Sequence, residues 1–339
     1  MRSLFAAATA SVAALSFTGS SAVTGSSAFT GSSAAFAQSY PSRPITMIVP
    51  LAPGGSTDAI GRIVAEGMAK AIGQPIIVEN VSGAGGSTGV GRVVKSNADG
   101  YTFMVGQWGT NVATGAIYNL GFDLLQDLQP IGLIATQPFL VVGRKSMPAT
   151  DLKGLLAWIK ANPDKASQGH SGVGSPGHVS GIFLQNATGL KWAMVAYRSA
   201  GPALQDIMTG NIDIALDTPA TSKSHVEAGT IKAFAVTSKA RIPTMPDVPT
   251  VEEAGVPGYT FSFWHAYWAP KGIPAEALAK LSGALRTALA EPAMRKRLID
   301  LSQDIFPADQ QTPEALAAYQ KAEIDRWWPV IRAAGIKPN

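Results

Sequence analysis

Short apolar runs of β character alternate along the chain with glycine-rich turns and with segments whose apolar residues recur at helical spacing. The clearest instance begins at Pro44. Ile45, Met47, Ile48 and Val49 read as a buried strand bounded by Pro44 and Pro50, and Pro53-Gly54-Gly55-Ser56-Thr57-Asp58 turns the chain. Ile60, Ile63, Val64, Gly67, Met68 and Ala71 then fall on one helical face. The order recurs. Pro75–Asn80 is a strand leading into Gly83-Ala84-Gly85-Gly86-Ser87-Thr88-Gly89 and a helix through Val94. Tyr101–Val105 is a strand ending in Gly106-Gln107-Trp108-Gly109-Thr110-Asn111, and Ile131–Val142 is extended but interrupted at Pro138.

A second series opens with a helix capped by Asp151 and stopped at Asn162-Pro163. It continues through the loop Ser171–His178, a helix from Val179 to Thr188, the strand Ala193–Tyr197 and a helix from Pro202 to Thr209. The strand Ile212–Leu216 ends at Asp217-Thr218-Pro219, and Ile231–Thr237 is a further strand. Pro274–Ala290 and Thr312–Ala334 read as helices, with Glu291-Pro292 starting a short one between them. Repeated strand, glycine loop and helix predict an α/β protein with mostly parallel sheets, whose ligand sits beyond the carboxyl ends of the strands. At such a spot unpaired backbone N–H groups and the positive end of a helix dipole hold an anion without a charged side chain. The expected ligand is a small carboxylate.

Composition narrows the class. A chain of 339 residues has room for two domains, and 46% apolar with 15% charged residues is globular. The net charge of +4 is dispersed, which argues against a nucleic-acid face. Cysteine is absent, so disulfides and thiolate metal sites are excluded. Arg2, the apolar run Leu4–Phe17 and an A-x-A site at Ala35-Phe36-Ala37 read as a signal peptide over residues 1–37, cleaved before Gln38. Between them lie three imperfect copies of one hexamer, from Phe17, Val23 and Phe29. The apolar run is shorter than the roughly 20 residues of a membrane span, so an exported, soluble mature protein is expected.

Candidate chemistry is sparse. Gly85-Gly86-Ser87-Thr88-Gly89 fits a G-x-S-x-G nucleophile elbow after a strand, which makes an exported serine hydrolase using Ser87 the enzymatic alternative. Against it, none of His170, His178, His225 and His265 lies in a triad signature. The same loop fails as a dinucleotide fingerprint because Thr88 stands where a third glycine is needed, and no P-loop or H-E-x-x-H occurs. No cofactor and no metal are expected. His178 either donates to a ligand or caps its own helix, and Asp217 either accepts from ligand or water or caps the turn at Pro219. Asp58 reads as a helix cap, with ligand contact the alternative. Trp108, among glycines at a strand end, is a candidate aromatic pocket wall, and Arg198 a candidate partner for an anion.

The blocks YPSRPITMIVPLAPGGSTD, GQPIIVENVSGAGGSTG, ADGYTFMVG, GVGSPGH, VAYRSAGPALQDIMTGNIDIALDTP, IKAFAVTSKARIPTMPDVPTVEEAGVPGY and WAPKGIP resemble, in order, the substrate-binding proteins of tripartite tricarboxylate transporters, the Bug family. The resemblance runs from Tyr40 to near the C-terminus. It implies a two-lobed periplasmic binding protein (type II-like), each lobe a mostly parallel sheet flanked by helices. Lobe 1 would comprise residues 38–138 and 236–339, lobe 2 residues 139–235, joined near Ile131–Val142 and Ala233–Lys239. It further implies that one carboxylate is held by Gly54, Gly55, Ser56 and Thr57 and by Gly85, Gly86 and Ser87, with Ser175, His178, Tyr197 and Asp217 across the cleft. Trp108, Thr110, Asn111 and Arg198 lie where the distal end of the ligand would be recognised. Asn111 stands where many members have histidine, and Arg198-Ser199 where Lys-Gly is common. Trp108 and Arg198 together would suit a second carboxylate on an apolar or aromatic spacer. A monomer that hands its ligand to inner-membrane permease subunits is implied, with a receptor for a signalling system as the alternative.

Overall fold

The computed structural model describes residues 40–336; the signal-peptide reading over residues 1–37 lies outside them. Eleven strands and ten α-helices follow in order: β1 (Ile45–Val49), α1 (Ser56–Ile72), β2 (Ile76–Asn80), α2 (Ser87–Val94), β3 (Thr102–Gln107), α3 (Thr114–Ile117), β4 (Leu128–Pro138), β5 (Leu140–Arg144), α4 (Leu152–Ala161), β6 (Ser167–His170), α5 (Pro176–Thr188), β7 (Ala193–Ala196), α6 (Ala200–Thr209), β8 (Ile214–Asp217), α7 (Pro219–Glu227), β9 (Ile231–Val236), β10 (Ser262–Pro270), α8 (Ala275–Ala290), α9 (Pro292–Asp300), β11 (Asp304–Ile305) and α10 (Pro313–Ala333). They form a six-stranded sheet, β11-β4-β10-β3-β1-β2, and a five-stranded sheet, β7-β6-β8-β5-β9.

The parallel order expected from strand–helix alternation holds in β2-β1-β3 and in β7-β6-β8. The strands that carry the chain between the sheets run antiparallel, so both sheets are mixed. The chain leaves the first sheet at Pro138, enters the second at Leu140, and returns after Val236 to β10. Between the crossings lies Thr237, fully buried. Its Oγ1 accepts from Phe139 N (2.8 Å) and donates to Phe261 O (2.6 Å). Its backbone N–H donates to Phe139 O, and its carbonyl accepts from Phe261 N. One residue thus ties both crossings together.

α1 and α8 cover one face of the first sheet, burying Ile45, Met47, Val64 and Met68 against Leu281, Leu285 and Ala288. α10 covers the other, where Trp268 donates to Gln320 and Gln320 Nε2 in turn donates to Asn111 O. α6 packs Leu204 and Ile207 on the second sheet. The sequence reading passed over β10, the central antiparallel strand. Every residue from Phe263 to Pro270 is buried, so the run lacks the alternation that marks a one-sided strand. β6, Ser-Gln-Gly-His, and α7 are also absent from the sequence pattern, being too short or too polar.

Candidate functional site

Between the sheets lies a cavity of about 330 Å³. The β1–α1 loop with the first turn of α1 (Leu51–Asp58) and Gln107 at the end of β3 close it on the first-sheet side. The ends of β6 and β8, the starts of α5, α6 and α7, and Arg198 close it on the other. Phe139 and Phe263, beside the two crossings, form its aromatic wall, their rings 5.2 Å apart.

Helix N-termini converge on this space. Gly55, Ser199 and Thr218 precede α1, α6 and α7, line the cavity, and make no side-chain cap bond to their helices. At α1 and α6 the N–H groups of Ser56, Thr57, Ala200 and Gly201 are therefore left for an occupant, whereas α7 opens with Pro219, which has no N–H, and its Thr221 N donates to Thr218 O (3.1 Å). At α5 the Ser175 hydroxyl accepts from His178 N (3.3 Å), so that helix is capped, while Pro176 and Gly177 line the wall. Dipole ends meeting at one cleft favour negative charge. Arg198 adds a full positive charge, and among the described residues no carboxylate forms an ion pair with it.

The β1–α1 loop is shaped from behind by Asp58. Gly54 sits at φ +83°, where an added Cβ would meet nothing, so glycine is required there for conformation and not for space. Gly54 N donates to Asp58 Oδ2 (3.1 Å), Arg62 pairs with Oδ1 (3.0 Å), and Asn80 donates to the same oxygen (3.0 Å). Burial raises the Asp58 carboxyl, but these three partners outweigh it and hold the group below its usual range. Its acceptors are spent on the loop. Asp58 touches the cavity as a clamp and not as a free carboxylate.

Other candidates fall into three groups. Gly54, Gly55, Ser56, Thr57, Asp58, Arg198 and Asp217 line the cavity. Asp217 is buried, accepts from the Thr221 and Ser222 hydroxyls, and has its pKa raised by burial. Ser175, His178 and Tyr197 stand one layer behind. His178 Nδ1 accepts from Gly174 N (3.1 Å), and its ring lies 4.3 Å from that of His170. Burial first, and His170 second, push its pKa down to about 4. Tyr197 donates to Asp206 (2.6 Å), bracing α6.

The third group is outside the lining. Gly85, Gly86 and Ser87 are packed against the first sheet's own loops. A Cβ on Gly86, at φ +99°, would strike the Thr110 side chain and sit 3.2 Å from Pro50 O, and one on Gly85 would lie 3.1 Å from the Tyr118 ring. Ser87 Oγ donates to Ala84 O (2.9 Å), and among the described residues no histidine hydrogen-bonds it. Thr110 and Asn111 are buried in a single turn of π-helix over Gly109–Ala113, bonded to each other at 2.7 Å. Trp108 corrects the sequence expectation most sharply. It is fully buried, edge-on to Phe261 (5.3 Å) and Trp327 (5.4 Å), and serves the core. The π-helical turn that follows drives the indole inward; the glycines around it had suggested an open loop.

Sequence reasoning missed Gln107, Phe139, His170, Phe263 and the α6 start Ser199-Ala200-Gly201. Only the last carries a local signal, a serine N-cap with proline at the third helical position. His170 Nδ1 lies 2.9 Å from Gly172 O, an acceptor, so Nδ1 carries the proton and Nε2 is left a lone pair. Burial lowers its pKa. Among the described residues no group of three histidines and acids could hold a metal, and no helix is long and apolar enough to cross a membrane.

Two mixed sheets, a doubly crossed hinge and a ligand-sized cavity between them define the class of two-lobed solute-binding receptors. The chain belongs to the tripartite tricarboxylate transporter family receptor group, TctC, whose model matches residues 60–336. A UPF0065 protein from the ttuE-ttuC' intergenic region of Agrobacterium vitis is 40% identical over 88% of this chain and 86% of its own. Among solved structures, the periplasmic binding protein BugD is 34% identical with a TM-score of 0.82, covering 88% of this chain and all of BugD. MatC from Rhodopseudomonas palustris, with bound malate, is 35% identical with a TM-score of 0.80, covering 86% and 100%. A further R. palustris protein, with adipate, is 32% identical with a TM-score of 0.83, covering 88% and 100%.

Proposed function

We propose that this chain is an exported receptor that captures a small dicarboxylate and presents it to a tripartite tricarboxylate-type permease. The observation that carries the reading is the cavity itself: uncapped starts of α1, α6 and α7 and the Arg198 guanidinium surround about 330 Å³ of space with an apolar, aromatic flank. One carboxylate meets the Gly55–Thr57 end of α1. The second is drawn to Arg198 and the start of α6, with the carbon spacer against Phe139 and Phe263. Relatives solved with malate and with adipate support the ligand class. The spacer contact assigned on sequence to Trp108 passes here to the two phenylalanines. The mature protein, from Gln38, acts as a monomer in the periplasm.

A thermal-shift panel tests the reading. Succinate, malate, adipate, citrate, aspartate and aromatic mono- and dicarboxylates are compared at millimolar concentration. A ligand at a thousand times its Kd adds about 4 kcal/mol to the folded state. A clear rise in Tm with dicarboxylates, absent with their diamides, is expected. Arg198→Gln removes a charge-assisted partner and costs roughly tenfold or more in dicarboxylate affinity while sparing a monocarboxylate. A flat panel would turn the assignment toward another ligand class, and burst acylation by a fluorophosphonate probe that Ser87→Ala abolishes would turn it toward the hydrolase.

A further inference from the structure

The first turn of α1 carries two hydroxyls whose protons are disposed differently by what lies behind them. Ser56 Oγ donates to Gln137 Oε1 (3.1 Å), and Gln137 is held in that orientation because its Nε2 donates to Leu301 O (3.2 Å). The Ser56 proton is engaged away from the cavity. Thr57 Oγ1 instead lies 3.3 Å from Nε2 of His265, a fully buried residue on β10 whose ring packs edge-on to Phe263 at 5.0 Å. His265 Nδ1 is buried and meets no hydrogen-bond partner.

That orphaned Nδ1 discriminates between the tautomers. Were Nδ1 protonated, a buried N–H would have no acceptor, and Thr57 would have to give its own proton to Nε2. With the proton on Nε2, only a lone pair goes unmatched, which buried sites tolerate better than an orphaned N–H. The Nε2–H then donates to Thr57 Oγ1, and the Thr57 hydroxyl proton is free to turn into the cavity that Thr57 lines.

We infer that His265 is a positioning residue for ligand capture: as the Nε2–H tautomer it fixes Thr57 as a hydrogen-bond donor toward an anionic ligand. This rests on the proposed carboxylate site and adds to it a layer that discriminates acceptors from donors. A carboxylate oxygen meets a proton at Thr57. A ligand group that can only donate there, such as an amide N–H or an ammonium, meets another proton and is disfavoured.

A double-mutant cycle with malate and adipate as probes, read by calorimetry, tests the inference. Thr57→Val removes the hydroxyl at nearly constant shape, His265→Phe removes the ring N–H, and His265→Gln returns a donor close to the Nε2 position. His265→Phe is expected to weaken both probes about tenfold in the parent and less than about twofold in the Thr57→Val background, with His265→Gln recovering most of the loss. The imidazole ¹⁵N shifts of ligand-free protein are expected to report Nε2–H. Equal losses from His265→Phe with and without the Thr57 hydroxyl, or an Nδ1–H tautomer, would overturn it. Failure of both probes to bind the parent chain would count against the carboxylate reading, while the tautomer would still decide the role of His265.

Discussion

His265 also contributes to how stability responds to acid. Burial pushes its pKa down to about 3, against about 6.5 in an unfolded chain. Below pH 6.5 the unfolded chain takes a proton that the native imidazole refuses. Stability is therefore fully present above that pH and is lost as pH falls from 6.5 toward 3, by up to about 1.4 kcal/mol per pH unit for this group. His178, held down to about 4 mainly by burial, adds to the same window. Urea midpoints between pH 7 and 4.5 should fall in the parent and fall less steeply in His265→Gln; parallel curves would show that His265 does not titrate in this way.

Trp108 makes a second prediction at this scale. A fully buried indole between Phe261 and Trp327 contributes through packing, so Trp108→Ala should cost about 3–5 kcal/mol of stability. Affinity of the folded fraction should change little, because the ring does not reach the cavity. A large loss of affinity with unchanged stability would return Trp108 to the ligand. The glycines of the two loops differ in kind as well. Gly54→Ala meets only the strain of a positive φ, whereas Gly86→Ala adds a collision with Thr110, so the second should be the more destabilising.

At the scale of elements, the crossings depend on Thr237. Its hydroxyl serves Phe139 N–H and Phe261 C=O at once, and both neighbours belong to the aromatic cluster that continues into the cavity wall at Phe263. Thr237→Val keeps the shape and orphans both groups, at roughly 1–3 kcal/mol for each. Urea unfolding should show the midpoint lowered with little change in slope. Thr237→Ser, which keeps the hydroxyl, should recover most of the loss. An unchanged midpoint in the valine variant would mean that the crossings are held by packing alone.

The local signatures that the sequence displays are those of elements formed by near neighbours. β1, its glycine turn and α1 are legible because an apolar run, a proline–glycine break and a helical stripe each have a local physical cause. The loop from Gly83 to Ser87 carries the same signature yet stands outside the cavity lining, with Gly83 to Gly85 exposed and Gly86 buried against Thr110, since composition encodes a turn but not what it faces. β10 depends on pairing with β3 and β4, more than 100 residues away, and its wholly buried sequence offers no period to read. His265 and Gln137 act from behind other side chains, so nothing in their own neighbourhoods announces them.

For the whole molecule, two sheets joined at Thr237 place helix N-termini from both sides around one cavity, with Arg198 the cation that lines it. Neither sheet alone assembles this set: α1 belongs with the first, and α5, α6, α7 and Arg198 with the second. Affinity for a dicarboxylate should accordingly depend on residues of both. The most direct test is a crystal structure of the mature chain with adipate or malate bound. The expected difference density has one carboxylate at Gly55–Thr57, within hydrogen-bond distance of the Thr57 hydroxyl, and the other facing Arg198 with the spacer against Phe139 and Phe263. Density for the acid outside this cavity, or inside it with Thr57 and Arg198 both uncontacted, would contradict the assignment.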